Sequence, residues 1–256
     1  MRILLSNDDG IDAPGLEALW EALHDLGTLT VVAPHREQSA SSHGFTMHNP
    51  LRMTERRPGW FAISGTPADC VYMGLHHVLE EVPSLVVSGI NRGTNIGSDI
   101  HYSGTVAAAM EAALVGIPSI AVSLEVRSED DTIHWETAGA LAHHIARLLL
   151  DDPLPRHSFL NVNVPNRAPG ELAGIKATAM GRRLYHPLVS EHLDPRGKPY
   201  FWIGGAHQSF DPSEGTDGYW FERGYATVTP LHPNLTDHDS LRRIETWPLD
   251  RTKGAT

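Results

Sequence analysis

The first 33 residues, MRILLSNDDGIDAPGLEALWEALHDLGTLTVVA (Met1 to Ala33), hold one complete strand–helix–strand unit. Residues 3–6 form a short, continuous apolar run, as a parallel strand buried on both faces requires. Residues 14–26 carry apolar positions at helical spacing, with Pro14 in the first turn and Gly27 just past the end. Residues 28–33 are again apolar and β-branched. Asp12 stands where it would cap the helix.

The same alternation continues to residue 164. Strands are expected at 60–64, 85–88, 119–124 and 159–164. Helices are expected at 67–79, 105–115 and 136–150, with Thr66 and Asp69 arranged as a capping box and Gly116 closing the alanine-rich helix. Strand–helix alternation predicts a three-layer α/β/α sandwich around a mostly parallel sheet, with right-handed crossovers. After Val164 the texture changes: a Pro-Asn-Arg-Ala-Pro-Gly loop leads into a segment rich in Gly, Pro, Tyr and Trp. Strands are expected there near 175–178, 200–204 and 225–229, and a short helix near Asp239. Residues 1–165 read as the α/β core. Residues 166–256 read as an extended arm of the same domain.

The chain has 256 residues and a formal charge of −11, which disfavours nucleic acid polymers and anionic membranes as partners. Its single cysteine, Cys70, allows neither an intrachain disulfide nor a thiolate zinc site and fits a reducing compartment, the cytoplasm. Met1 leads straight into a strand, so no export signal is expected. The most apolar stretch, residues 105–124, contains Glu111, Gly116 and Pro118 and reads as a helix, a turn and a strand.

Chemistry concentrates at strand ends. In open parallel sheets ligands bind beyond the carboxyl ends of the strands, where the strand order switches. Three such ends are polar: Asn7-Asp8-Asp9-Gly10, the segment from His35 through Arg36, Glu37, Gln38 and Ser39 to Ser42, and the segment Gly89-Ile90-Asn91-Arg92-Gly93-Thr94-Asn95. If their strands are neighbours, the loops share one crevice. Two adjacent anions repel, so Asp8 and Asp9 call for a cation or for full solvation. Carboxylates, a hydroxyl and an amide oxygen are the hard donors that Mg²⁺ or Mn²⁺ takes. Taken singly, Asn91 also reads as turn chemistry, and Ser39 is one serine in a serine-rich loop. Ser103-Gly104-Thr105 opens the alanine-rich helix, whose free amides and positive dipole suit phosphate; Ser103 also reads as a plain N-cap. No Gly-x-Gly-x-x-Gly, Walker or Gly-x-Ser-x-Gly pattern is present. The pairs His76-His77 and His143-His144 fall in helices, where adjacent residues diverge, so neither pair chelates.

Together these segments closely resemble the SurE family of survival nucleotidases. The resemblance rests on ILLSNDDG (3–10) with Ala13-Pro14-Gly15, Ala33-Pro34 with Arg36 and Ser39, and Gly65-Thr66-Pro67. VSGIN (87–91) with Gly93, Asn95 and Gly97 continues it, as do YSGTVAAAME (102–111), NVNVP (161–165), Asp194-Pro195-Arg196-Gly197, Gly215-Thr216-Asp217 and Thr229-Pro230-Leu231. It implies a Rossmann-like core with a C-terminal arm exchanged between subunits, giving a homodimer or homotetramer. It implies a metal-dependent phosphomonoesterase acting on nucleoside 5′- and 3′-monophosphates, with some members also trimming short polyphosphate. It implies one Mg²⁺ or Mn²⁺ per subunit on Asp8, Asp9, Ser39 and Asn91, with Asp8 and Asp9 catalytic, and Asn95, Ser103, Gly104 and Thr105 lining the phosphate site. His35 and Asn234 depart from the aspartates frequent at those positions. The Asp-x-Asp spacing of phosphatases that form an aspartyl-phosphate is missing, which favours a water nucleophile. A sensing module on the same fold would bind nucleotide without releasing phosphate, and a transferase would need a second acceptor.

Overall fold

The computed structural model describes residues 1–128, 131–185, 188–204 and 207–249. Its strands are β1 (Arg2–Ser6), β2 (Thr28–Pro34), β3 (Met53–Arg57), β4 (Trp60–Ile63), β5 (Leu85–Arg92), β6 (Ser119–Leu124), β7 (Phe159–Val164), β8 (Gly174–Ala177), β9 (Arg183–Tyr185), β10 (Leu188–Leu193), β11 (Pro199–Gly204), β12 (His207–Phe210) and β13 (Tyr225–Leu231). Its helices are α1 (Pro14–Leu23), α2 (Pro67–Met73), α3 (Gly104–Leu114), α4 (Trp135–Asp151), α5 (Asp217–Phe221) and α6 (His238–Ile244).

One nine-stranded sheet runs in the order β3-β4-β2-β1-β5-β6-β7-β13-β8. The six strands from β4 to β7 are mutually parallel, while β3 and β13 lie antiparallel to their neighbours β4 and β7. α1 and α4 pack on each other over one face, and α2 and α3 over the other. This is the Rossmann-like three-layer α/β/α sandwich. Ile3 and Leu5 point into the α1/α4 side and Leu4 into the α2/α3 side, all fully buried, which is why the strand reads as an unbroken apolar run. The chain builds outward from β1 to β2 and β4, then returns to β5 on the other side of β1, so the switch in strand order lies between β1 and β5.

Local sequence rules explain most helix ends. In α2 the capping box forms: Thr66 Oγ1 accepts from Asp69 N at 3.1 Å, and Asp69 Oδ2 accepts from Thr66 N at 2.9 Å. α3 ends in a Schellman motif, with Gly116 N donating to Ala113 O and Ile117 N to Ala112 O, Gly116 having φ +80°. Asp12 does not cap α1. It is exposed, Ala13 holds the N-cap position without a side-chain bond, and Asn7 closes the preceding turn instead, bonding Gly10 O and Gly10 N. Pro14 at the first helical position has no N–H to satisfy, which lowers the need for a cap. α2 stops at Met73 rather than 79. Gly74, a weak helix former, begins a wider π turn against Leu4, where a Cβ would lie 2.8 Å from Leu4 Cδ2.

Strand β5 runs through Asn91 to Arg92 instead of ending at Ser88, with an irregular register against β6 between Ser88 and Asn91. Gly89 sits there at φ +140°, and a Cβ on it would meet Val122 O at 2.4 Å. The segment after 165 is partly core: β13 and β8 complete the main sheet. The hairpin β10–β11 stands apart as a two-stranded sheet with exposed apolar side chains, including Val189, Trp202 and Ile203, the last 91% exposed. Among the described residues no helix is long and apolar enough to cross a membrane.

Gly15 permits the close approach of α1 to the β5 end, since a Cβ there would lie 2.0 Å from Ile90 O and 2.8 Å from Trp135 Cζ3. Gly15→Ala should therefore cost about 3 kcal/mol from overpacking. That corresponds to a drop of roughly 6–10 °C in the thermal midpoint for a chain this size, readable by calorimetry; an unchanged midpoint would contradict the close contact.

Candidate active site

The three polar strand ends do converge, because β2, β1 and β5 are consecutive in the sheet. Asp8 and Asp9 lie in the bend after β1, inside the turn closed by Asn7, and they make different contacts. Asp8 turns toward α3 and is 4% exposed; Asp9 is half-buried and lines an open cleft with Ser39 on the α1 side.

Asp8 is held by the first turn of α3. Thr105 Oγ1 donates to its Oδ1 at 2.5 Å, and a Cβ on Gly104 would come within 2.8 Å of the Asp8 Cβ. Burial pushes the Asp8 carboxyl up to about 6 from 3.8, against the pull of the Thr105 bond and with a push from the Asp9 charge. Asp9 Oδ2 accepts from Arg92 N at 3.0 Å. Its carboxyl is raised too, by burial first; the Arg92 amide opposes this and the Glu37 charge adds to it. Both acids thus sit where a proton or a cation is favoured over two bare charges.

Ser39 is exposed and donates its hydroxyl hydrogen to Glu37 Oε1 at 2.6 Å, which leaves the oxygen lone pairs open. Asn91 donates from Nδ2 to Gly93 O at 2.7 Å, so its amide oxygen is the open end. With Asp8 and Asp9 these give an all-oxygen donor set at three adjacent strand ends, the chemistry that suits Mg²⁺ or Mn²⁺. Among the described residues no group of three or more His, Cys, Asp and Glu side chains gathers, so neutral oxygens must supplement the acid pair in any cation site here.

The residues read as phosphate-binding are placed differently from one another. Ser103 is the N-cap of α3, its Oγ accepting from Val106 N at 3.1 Å while its hydrogen stays available to donate. The Thr105 hydroxyl and its backbone N–H both serve the Asp8 carboxylate, so what this helix end offers a further anion is its dipole and the Gly104 N–H, which has no intrahelical acceptor. Asn95 is buried, with one N–H of Nδ2 on Ser123 Oγ at 2.8 Å. Its backbone is fixed by β7: Asn163 Oδ1 accepts from Asn95 N at 2.7 Å, and Asn161 Nδ2 donates to Asn95 O at 2.7 Å.

Two further groups of residues brace the loops around the acid pair. The loop from Gln38 to Thr46 is pinned along its length. Gln38 N bonds Asp8 O, Ser42 bonds the carbonyls of His101 and Tyr102, His43 Nε2 lies 2.7 Å from Glu111 Oε2, and Thr46 donates twice to Asp69. Ala40 and Ser42 take φ of 58° and 54° between these anchors, a left-handed conformation that a side chain disfavours. Asp217, fully buried, accepts backbone N–H bonds from Gly97, Gly181 and Gly218, each at 2.8 Å, and so ties the extension to the loop that carries Asn95. The Gly-Thr-Asp tripeptide at 215–217 was the available signal. His35 is exposed, with Nδ1 3.2 Å from Ile63 O; Asn234 closes a turn by accepting from Thr236 N at 3.0 Å. Neither contacts the acid pair.

A family model described as "Survival protein SurE" matches residues 3–187. A "5'-nucleotidase SurE" of Geobacter sulfurreducens is 51% identical over 97% of this chain and 94% of that protein. One of Syntrophotalea carbinolica is 49% identical over 97% of this chain and 98% of its own length. The crystal structure of a SurE protein from Aquifex aeolicus superposes with a TM-score of 0.85 at 42% identity, covering 96% of this chain and 98% of that one.

The Asp8 carboxyl carries a pH signature. Below pH 3.8 both folded and unfolded chains hold its proton. Between 3.8 and about 6 only the folded chain does, so stability falls as pH rises and levels off above about 6. The penalty reaches about 3 kcal/mol at neutral pH. In a chelator, Asp8→Asn should raise the thermal midpoint at pH 7 and leave it nearly unchanged at pH 4, by calorimetry; equal effects at both would refute the buried charge.

Proposed function

The chain belongs to the SurE family, and from that membership we propose that it is a 5'-nucleotidase, a phosphomonoesterase releasing phosphate from nucleoside monophosphates with one Mg²⁺ or Mn²⁺ per subunit. The reading extends to 3'-monophosphates and short polyphosphate, as the resemblance implies. It places the protein in the cytoplasm as a homodimer or homotetramer. The exposed apolar ribbon β10–β11 supports association, because an isolated two-stranded hairpin is marginal in water.

The observation that carries the reading is the contact between Asp8 and the first turn of α3. It sets a buried carboxylate against a helix N-terminus, so that a cation site there would adjoin an anion site. The metal would be held by Asp8, Asp9, Ser39 and Asn91. When bound it supplies Lewis acidity to the phosphoryl group. The Gly104 N–H and the Ser103 hydroxyl take the remaining phosphate oxygens at the positive end of the helix. Rate then comes mostly from positioning and preorganised charge. Thr105 keeps Asp8 fixed and uses one of its oxygens. Asp9 faces the cleft, so it is the carboxylate that orients the attacking water.

The test is phosphate release from AMP across Mg²⁺, Mn²⁺ and chelator. Release that depends on the metal, and falls at least 100-fold in Asp8→Asn, is expected. No release with either ion would defeat the nucleotidase reading. Near-wild-type turnover of p-nitrophenyl phosphate by Asp8→Asn with Mn²⁺ would defeat the ligand assignment alone. Gly104→Ala, which pushes the helix end off Asp8, should lower kcat at least tenfold; unaltered kcat would remove the helix amides from the mechanism.

A further inference from the structure

A cleft of about 580 Å³ opens from Asp9 and Ser39 along the α1 side of the site. Pro14, Ile133 and Trp135 give it an apolar side, and Glu37, Arg92 and Arg127 are its other charged lining residues. Its volume lies within the range of small-molecule sites, and its mixture of an apolar wall with a few charged groups is what such sites use. Trp135 opens α4 and rests against Gly15 at the start of α1, so the two helices on this face fix its position. It is only partly buried, and the rest of it lines the cleft. An aromatic residue held rigidly at the mouth of a polar site, and not used up by the core, is suited to stacking a planar ring.

A second cavity, about 680 Å³, lies past Gly93 and Thr94 and is lined by Phe210, Phe221 and Arg183. It touches neither Asp9 nor Ser39. Its two phenylalanines are 6% and 5% exposed and pack edge-on against each other, so little ring surface is free to stack a base. The first cleft is the one continuous with the acid pair.

We propose that the cleft beside Asp9 takes the nucleoside half of the substrate, with the base packed against Trp135. The proposal rests on the phosphomonoesterase reading and deepens it. Phosphate enters on the α3 side, the reacting bond lies at the carboxylates, and the leaving nucleoside extends toward α4. Stacking is indifferent to the hydrogen-bonding edge, because every base offers a π-face. The four common 5'-monophosphates should therefore be turned over within about tenfold of one another, purines ahead by their larger ring.

The experiment compares kcat/KM for AMP with kcat/KM for ribose 5-phosphate, which lacks the base, on the Mn²⁺-loaded full chain. Trp135→Ala should lower the AMP-to-ribose-5-phosphate ratio roughly tenfold or more, the scale of one lost base stack. Trp135→Phe should keep the ratio within about threefold. Ser128→Phe, placed at an exposed position of the rim, should also lower it by filling the cleft with no core residue disturbed. It decides the matter alone if Trp135→Ala does not fold. An unchanged ratio in these variants, or an equal loss on both substrates, overturns the proposal. So does a fall in Phe221→Ala with none in Trp135→Ala, which moves the base to the second cavity. If the wild-type protein hydrolyses neither substrate, the reaction reading has failed and adenosine titrated by calorimetry still tests the cleft. Adenosine binding that weakens about tenfold in Trp135→Ala supports it, and absence of saturable binding to wild type overturns it.

Discussion

Asp8 and the first turn of α3 lie in contact, and this is possible because residue 104 has no side chain to stand between them. A buried carboxylate is costly unless something answers its charge. Here the answers are local: the Thr105 hydroxyl, the partial positive charge of a helix end and, in the proposed holoenzyme, a cation. Each requires α3 to arrive at one height along the end of β1. The surrounding structure serves that placement. Ser103 caps the helix so that its first turn stays ordered, and the Schellman turn at Gly116 sends the chain directly into β6, beside β5. The Asn7 turn keeps the loop after β1 tight enough for Asp8 to point at the helix while Asp9 faces the cleft.

The loops on either side are braced by elements far away in the chain. The segment from Gln38 to Thr46 is fixed from both α2 and α3, so the serine-rich loop is a strap laid over two helices. The loop after β5 is fixed from β7 by Asn161 and Asn163, and from α5 by Asp217. A carboxylate that accepts three amide hydrogens needs no cation, which separates Asp217 from Asp8 although both are buried. Through Asp217 the extension helps to build the site, so residues after 165 do more than project from the core.

Much of this was legible in the sequence, for physical reasons that differ by element. Strands β1, β2, β6 and β7 are buried on both faces, so their apolar runs were unambiguous, and β6 and β7 match to the residue. The capping box at Thr66 and the glycine at 116 behaved as their chemistry dictates. Asn91 reads as loop in the sequence, yet β5 resumes past the irregularity at Gly89 and carries it. Strand β3, MTERR, is exposed at every position and has no apolar alternation to find. β10 is largely exposed, α5 is only five residues long, and β9 and β12 are short strands whose pairing spans more than twenty residues. At the site the acid pair announced itself by its charge. That the Thr105 hydroxyl serves Asp8, and that Asn95 is anchored through Ser123, depend on contacts between residues 28 to 97 positions apart, which no spacing rule encodes.

The edges of the nine-stranded sheet have a consequence for how copies of this chain can meet. One border is β3, whose Glu55, Arg56 and Arg57 face water; the other is β8, four residues long. Short or charged borders discourage a foreign strand from adding to the ladder. Edge-to-edge growth is thereby disfavoured at both margins, and the protein can expose a sticky apolar ribbon elsewhere with less risk that its largest sheet seeds polymerisation.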